Sequence, residues 1–137
     1  TLKSQSIYKD TTTGETKKLL PVGDDYICEK TYVHFDHDSD SLNITTKYIL
    51  DRIANYLIQN NMSDVKVIGY SSSIGSKEYN LDLSQRRAYN VKRFLEEKGI
   101  RYVRHEGRGE NEILRDAYGR ELEDKSRRVK ICYRRGN

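Results

Sequence analysis

Apolar residues recur along the chain with two different periods, and the period changes at recognisable boundaries. Across Tyr26–Phe35 strand formers alternate in part, with Val33 and Phe35 on one side, which predicts a first strand. The polar run Asp36–Asn43 follows, and Ser39, Asp40 or Ser41 within it can cap a helix. Ile49, Leu50, Ile53, Leu57 and Ile58 then recur at three- and four-residue spacing, the stripe of an amphipathic helix that stops at Asn60-Asn61. Val65–Tyr70 is short and mostly apolar, as a central strand is. A second stripe, Leu83, Ala88, Val91, Phe94 and Leu95, predicts a helix starting near Lys77–Asn80 and ending at Gly99. Ile100–Gly109 reads as a third strand running into a Gly-X-Gly turn, and Asn111–Ser126 as a charged loop. The last strand sets Val129, Ile131 and Tyr133 against Arg128, Lys130 and Cys132.

The order β-α-β-α-β-β predicts an α/β fold of α+β two-layer type. Each strand–helix–strand crossover lays its helix on the sheet, so both helices pack on one face of a four-stranded mixed sheet. This domain is expected over residues 26–137. Residues 1–25 are polar, with Thr11–Thr13 and Pro21-Val22-Gly23. They predict an extended N-terminal arm with at most a short hairpin around Thr13-Gly14. No internal repeat is visible.

Composition narrows the function classes. A chain of 137 residues, 35% hydrophobic and 34% charged, suits one soluble domain with a modest core. Eleven Tyr and no Trp suggest a thin core with wet edges. The net charge of +4 favours anionic partners. Much of the excess sits at Arg127, Arg128, Lys130, Arg134 and Arg135, and no RNA-binding or zinc-finger spacing accompanies it. A solvated basic face is expected rather than a nucleic-acid groove. No apolar run approaches the ~20 residues of a membrane span. The chain starts at Thr1 without Met, so targeting and membrane attachment are expected in a segment upstream. Cys28 and Cys132 are the two cysteines. They read either as small buried hydrophobes or as a disulfide, which requires the first and last strands to be antiparallel neighbours.

Several clusters invite chemistry. His34, Asp36, His37, Asp38 and Asp40 suggest a metal, but residues three apart in a strand point to opposite faces and no calcium-loop register follows. Helix capping is the expected role, with no metal and no cofactor. Gly107-Arg108-Gly109-Glu110 lacks the phosphate-loop spacing and reads as a tight turn. Ser71–Ser73 lie outside any nucleophile-elbow pattern, so an enzyme such as a serine hydrolase is not expected. Arg87 is placed one position before Ala88, at the border of the second stripe, where an Arg needs a carboxylate, internal or on a ligand. Ser72, Asn80 and Arg87 fall at one end of the sandwich, where an Arg can grip a carboxylate through paired hydrogen bonds.

These residues carry a resemblance. The run from Gly69 through Gly75, Asn80, Leu83-Ser84, Arg87-Ala88 and Val91, then Gly107-Arg108-Gly109-Glu110 and Ser126-Arg127-Arg128-Val129, resembles the OmpA-like C-terminal domain of OmpA, Pal and MotB. The resemblance covers about Phe35 to Ile131. It implies a non-catalytic domain that binds the diaminopimelate-containing stem peptide of Gram-negative peptidoglycan. The family's helix Arg, here Arg87, would take a carboxylate, and the Asp of its G-H-T-D corner would take the ammonium. That corner reads Gly69-Tyr70-Ser71-Ser72 here, so Ser72 stands in the acid's place and Ser126 in that of the Asn of N-R-R-V. Asp36 or Asp38 would have to supply the missing charge. The expected ligand set is Arg87, Asn80, Ser72, Ser71, Asp36, Asp38 and Arg127. The basic, divergent sequence further resembles MotB-like subunits, including an accessory subunit of a type I secretion system. That implies the periplasmic, soluble part of an inner-membrane-anchored protein, a channel-subunit partner and possible homodimers. The competing expectation is an interaction or dimerisation module that has lost peptidoglycan binding with the acid.

Overall fold

The computed structural model describes residues 7–9, 16–18, 26–28 and 31–135. Within the N-terminal arm, β1 (Ile7–Lys9) pairs antiparallel with β2 (Thr16–Lys18). These strands flank Thr13-Gly14, which with Pro21–Gly23 lies outside the described residues. The remaining elements are β3 (Tyr32–His34), α1 (Ile44–Gln59), β4 (Met62–Gly69), α2 (Lys77–Glu97), β5 (Arg104–Gly107), α3 (Glu123–Ser126) and β6 (Arg128–Arg135). The main sheet has the order β3-β6-β4-β5. β4 and β5 are parallel, joined across α2, while β6 runs antiparallel to both its neighbours. The sheet is four-stranded and mixed, as expected.

α2 is legible in its sequence. Ser76 caps it by accepting a hydrogen bond from the Tyr79 amide at 3.1 Å, and Gly99 follows its end with φ +106°. Leu83, Ala88, Val91 and Leu95 are buried on one face. α1 is rotated relative to its predicted stripe. Thr46, Leu50, Ala54 and Leu57 face the core, whereas Ile49 and Ile58 are 37% and 47% exposed. Its cap is Asn43, not Ser39, Asp40 or Ser41; the Asn43 side chain accepts from the Thr46 amide at 2.8 Å. Thr46 also donates to the His34 carbonyl at 3.0 Å. Both bonds turn the small residues Thr46 and Ala54 inward.

The helices share one core with one sheet face. Val33, Val65, Val67, Val129 and Ile131 meet Leu50, Leu57, Ala88, Val91 and Leu95 there. On the opposite sheet face Ile68, Tyr70 and Cys132 pack with Tyr26 and Cys28. The first strand is shorter than predicted. Ile27 opposes Tyr133 and Tyr32 opposes Lys130, so one chain advances five residues while the other advances three, and the ladder breaks between them. Cys28 and Cys132 are joined in a disulfide, with Cα atoms 4.3 Å apart.

Two glycines let α2 approach the strand ends. A Cβ on Gly69 would lie 2.0 Å from the Ser84 carbonyl oxygen, and one on Gly107 would lie 2.4 Å from the Gln85 amide nitrogen. The Gly109 amide also donates to Ser84 Oγ at 2.8 Å. The Gly-X-Gly motif is therefore a docking seat for α2 as well as a turn.

Beneath Tyr26 lies an unusual cation. Lys66 is fully buried on the second sheet face, its Nζ 3.6 Å from the Tyr26 ring centroid and without a hydrogen bond. Burial pushes its ammonium down to about 8, and the neighbouring charge of Arg104 acts in the same direction. Below pH 8 the folded protein must hold this desolvated charge. Between pH 8 and 10.5 the unfolded chain binds more protons at this position, so the group's contribution to stability rises with pH. Lys66→Met is expected to raise the melting temperature at pH 7, by a margin that shrinks as the pH passes through that window. Melting curves of both proteins at pH 7 and pH 10 check this; a destabilised variant at pH 7 would show that the ring contact outweighs desolvation.

Candidate functional site

The end of β4, the loop before α1 and the first turns of α2 meet around an open cleft of about 350 Å³. Ser71 and Ser72 leave β4 along one wall, Asp38 and His37 form another, and Tyr79, Asn80 and Arg87 come from α2. Arg127, just before β6, closes the ring. The sequence-predicted Ser71, Ser72, Asn80, Arg87, Asp38 and Arg127 are thus brought together.

Arg87 is not at the edge of the core, as predicted, but is the largest fully buried side chain, with 0% exposure. Its Nε donates to the Ser39 carbonyl at 2.7 Å, Nη1 to the Tyr70 carbonyl at 3.2 Å and Nη2 to the Asp36 carbonyl at 3.0 Å. These bonds pin α2 to the two segments that make the cleft walls. They leave the charge without a carboxylate: among the described residues Arg87 forms no ion pair. Arg86 beside it is bonded to the carboxylates of both Asp40 and Asp82. Burial lowers the Arg87 guanidinium to about 10, and Arg127 adds to the shift. It remains charged at neutral pH, beneath a cleft that Arg127 also enters.

Asn80, on the first turn of α2, is 2% exposed, and its Nδ2 has no hydrogen-bond partner. A buried amide without a partner costs about 1–3 kcal/mol, so this donor favours a ligand acceptor in the cleft. The Ser71 hydroxyl donates to the Ser72 carbonyl at 2.9 Å, and Ser72 Oγ accepts from the Ile74 amide at 3.4 Å. Neither hydroxyl is bonded to an imidazole. His34 lies outside this cleft, in two others. Among the described residues no group of three His, Cys, Asp or Glu side chains is gathered as a metal site.

The acids divide. Asp38, at φ +52°, presents its carboxylate to the Tyr79 hydroxyl inside the cleft. Asp36 lends only its carbonyl, and the residue lines a neighbouring cleft with His34, Asn43, Thr46 and Asp124. A further acid comes from the charged loop. Glu121 accepts from the Ser73 amide at 3.0 Å and from the Ser73 hydroxyl, which sets a carboxylate one residue from Ser72. The loop that carries it is more ordered than predicted, with an Arg115–Glu121 bridge and a turn held by Asp116. Ser126 is structural: it is buried and its Oγ accepts from the Leu114 amide at 3.0 Å.

The sequence pattern of the OmpA family matches residues 34–128, which span every wall of the cleft. The chain belongs to the OmpA family. It carries the cleft at the carboxyl end of β4. It is 32% identical over 99 residues to outer membrane protein A of Bordetella avium, covering 71% of this chain and 51% of that protein. The chain therefore spans about half the length of that relative. The crystal structure of the peptidoglycan-associated lipoprotein of Burkholderia pseudomallei superposes with a TM-score of 0.66 at 27% identity, covering 77% of this chain and 91% of that one. The cell wall anchor of the T6SS from Pseudomonas aeruginosa superposes at 0.63 with 26% identity, covering 82% and 89%. At the corner Gly69-Tyr70-Ser71-Ser72 this OmpA-family chain has no carboxylate; Asp38 lines the cleft, and Glu121 is bonded to the next residue, Ser73.

Proposed function

We propose that this OmpA-family domain is a non-catalytic periplasmic anchor that grips the diaminopimelate-bearing stem peptide of peptidoglycan and ties an inner-membrane, MotB-like complex to the cell wall. The observation that carries it is the unpaired Arg87 charge beneath a cleft that also holds the unpartnered Nδ2 of Asn80. A zwitterion fits that pattern. Its carboxylate turns to Arg87, Arg127 and Asn80, and its ammonium to Asp38 and Glu121. Two similar proteins are named for the same setting, a peptidoglycan-associated lipoprotein and a cell wall anchor. The Cys28–Cys132 disulfide suits an oxidising compartment. No described helix is long and apolar enough to cross a membrane.

Pull-down with purified sacculi tests the proposal. Charge-assisted hydrogen bonds contribute about 1.5–3 kcal/mol against about 0.5–1.5 for neutral ones, so Glu121→Gln and Asp38→Asn are each expected to weaken binding about tenfold. Ser72→Asp restores the family's acid. Its gain is expected to be small in the wild type, where Glu121 already stands one residue away and like charges repel. In the Glu121→Gln background the gain is expected to reach about tenfold. Unchanged binding in both acid-removing variants would show that the cleft does not read an ammonium.

A second reading, an interaction or dimerisation module, draws on the outer face of α1, where Tyr48, Ile49 and Tyr56 stand exposed beside Tyr32 on the edge strand β3. Sedimentation of the wild type separates the readings: a stable dimer with no affinity for sacculi would favour the second.

A further inference from the structure

The sheet face that the helices leave uncovered carries a second cleft, of about 330 Å³, beside the disulfide. We propose that it is a binding site for a phosphate-type oxyanion. Lys125, Arg128, Lys130 and His34 line it, with Tyr32 and Leu114 as apolar walls, and no carboxylate of the described residues lines it. It shares no lining residue with the Arg87 cleft.

Arg128 is only 5% exposed, and an Arg buried that far is ordinarily paired. Its Nη1 donates to the Glu112 and Ser126 carbonyls, both at 3.2 Å, and the guanidinium lies 4.1 Å from the Tyr70 ring centroid. Among the described residues no carboxylate bonds it, and Nε and Nη2 carry no hydrogen bond. Lys130 Nζ lies 5.7 Å from the same centroid. Among the described residues, Lys125, Arg128 and Lys130 form no ion pair. Glu112 is the acid that acts on Arg128 and Lys130, and it lies 4.0 Å from Arg108; Asp124 acts on His34. Burial lowers the pKa of both Arg128 and Lys130, and the Glu112 carboxylate offsets only part of that shift. Three cations, one of them a planar fork, match a multiply charged tetrahedral oxyanion better than a lone carboxylate. The cleft is too small and local for the extended backbone track that a nucleic acid needs, but its volume lies within the range of small-ligand sites.

The phosphate could be free or carried on the headgroup of an anionic lipid, and two arms of one experiment distinguish these sources. Backbone amide shifts of the whole chain are followed during titration with inorganic phosphate, with sodium chloride at matched ionic strength as control. Binding to vesicles of phosphatidylglycerol in phosphatidylcholine is measured by co-sedimentation, against phosphatidylcholine alone. Phosphate is expected to move the amides of His34, Lys125, Arg128 and Lys130 saturably, with a Kd of about 1 mM, while Ser72 and Asn80 stay in place. The double variant Lys125→Gln, Lys130→Gln changes side chains outside the core and is expected to weaken this at least about tenfold. Phosphatidylglycerol binding lost in the same variant identifies the headgroup as the source; phosphate binding without vesicle binding identifies a soluble phosphate. Shifts reproduced by chloride, shifts unchanged in a folded double variant, or no saturable shifts would each overturn the site.

Discussion

Arg87→Ala is expected to abolish retention on sacculi and to lower folding stability by at least about 1–3 kcal/mol, the cost of a buried acceptor left without its donor. Both effects come from the same guanidinium. The carbonyls of Asp36, Ser39 and Tyr70 lose this donor; the Tyr70 carbonyl is left buried, whereas the Asp36 carbonyl keeps a bond from the Ser39 amide, and a buried acceptor left unpaired costs about 1–3 kcal/mol. The cleft loses its buried positive charge as well. Because the variant is destabilised, retention must be measured under conditions in which denaturation curves show it folded. Arg87→Lys restores a charge without the fork and is expected to recover part of the stability and little of the binding. Arg127→Ala supplies the comparison. Arg127 is half-buried and its Nε donates to the Phe35 carbonyl at 3.0 Å, so its loss is expected to weaken retention with a smaller effect on stability. A folded Arg87→Ala protein that binds sacculi like the wild type would make Arg87 a purely structural pin.

Removing the disulfide is the second large effect. The bridge closes a loop spanning 104 positions, and the chain-entropy relation gives about 4–5 kcal/mol for a loop of that length. It also holds Tyr26 over Lys66 and against Ile68 and Tyr70, whose carbonyl in turn receives Arg87. The Cys28→Ala, Cys132→Ala variant is therefore expected to unfold at a markedly lower denaturant concentration than the oxidised wild type. Reduced wild type should fall near the variant. An unchanged midpoint would show that the strap is held without the bond.

The fold was legible where periodicity and punctuation agree. α2 has an N-cap, a continuous apolar face and a terminal Gly, and the structure follows it closely. α1 is less so, because five Ile and Leu residues suggest a stripe that the Asn43 cap and the Thr46 bond rotate toward Ala54. A small buried residue gives no signal to hydrophobic spacing. Arg87 was found as a residue of interest for its place beside Ala88, yet its complete burial was not legible. The carbonyls that receive it come from the Asp36–Ser39 loop and from Tyr70, which spacing along α2 cannot see. Glu121 was missed for a similar reason: in the sequence it is one acid among several in the charged loop Asn111–Ser126, and the bond to Ser73 crosses 48 positions. The Cys pair needed the β3–β6 pairing to decide between its two readings.

The central claim is that the Arg87 cleft reads a zwitterion at the end of a stem peptide. Its most direct test follows backbone amide shifts while titrating a soluble stem tripeptide ending in meso-diaminopimelate, alongside the same peptide with lysine in that position, which keeps the side-chain ammonium and lacks its carboxylate. The diaminopimelate peptide is expected to move the amides of Asp38, Ser72 and Asn80 saturably, and the lysine peptide to bind at least about tenfold more weakly. Equal affinity for the two peptides, or saturable changes that avoid these residues, would contradict the account.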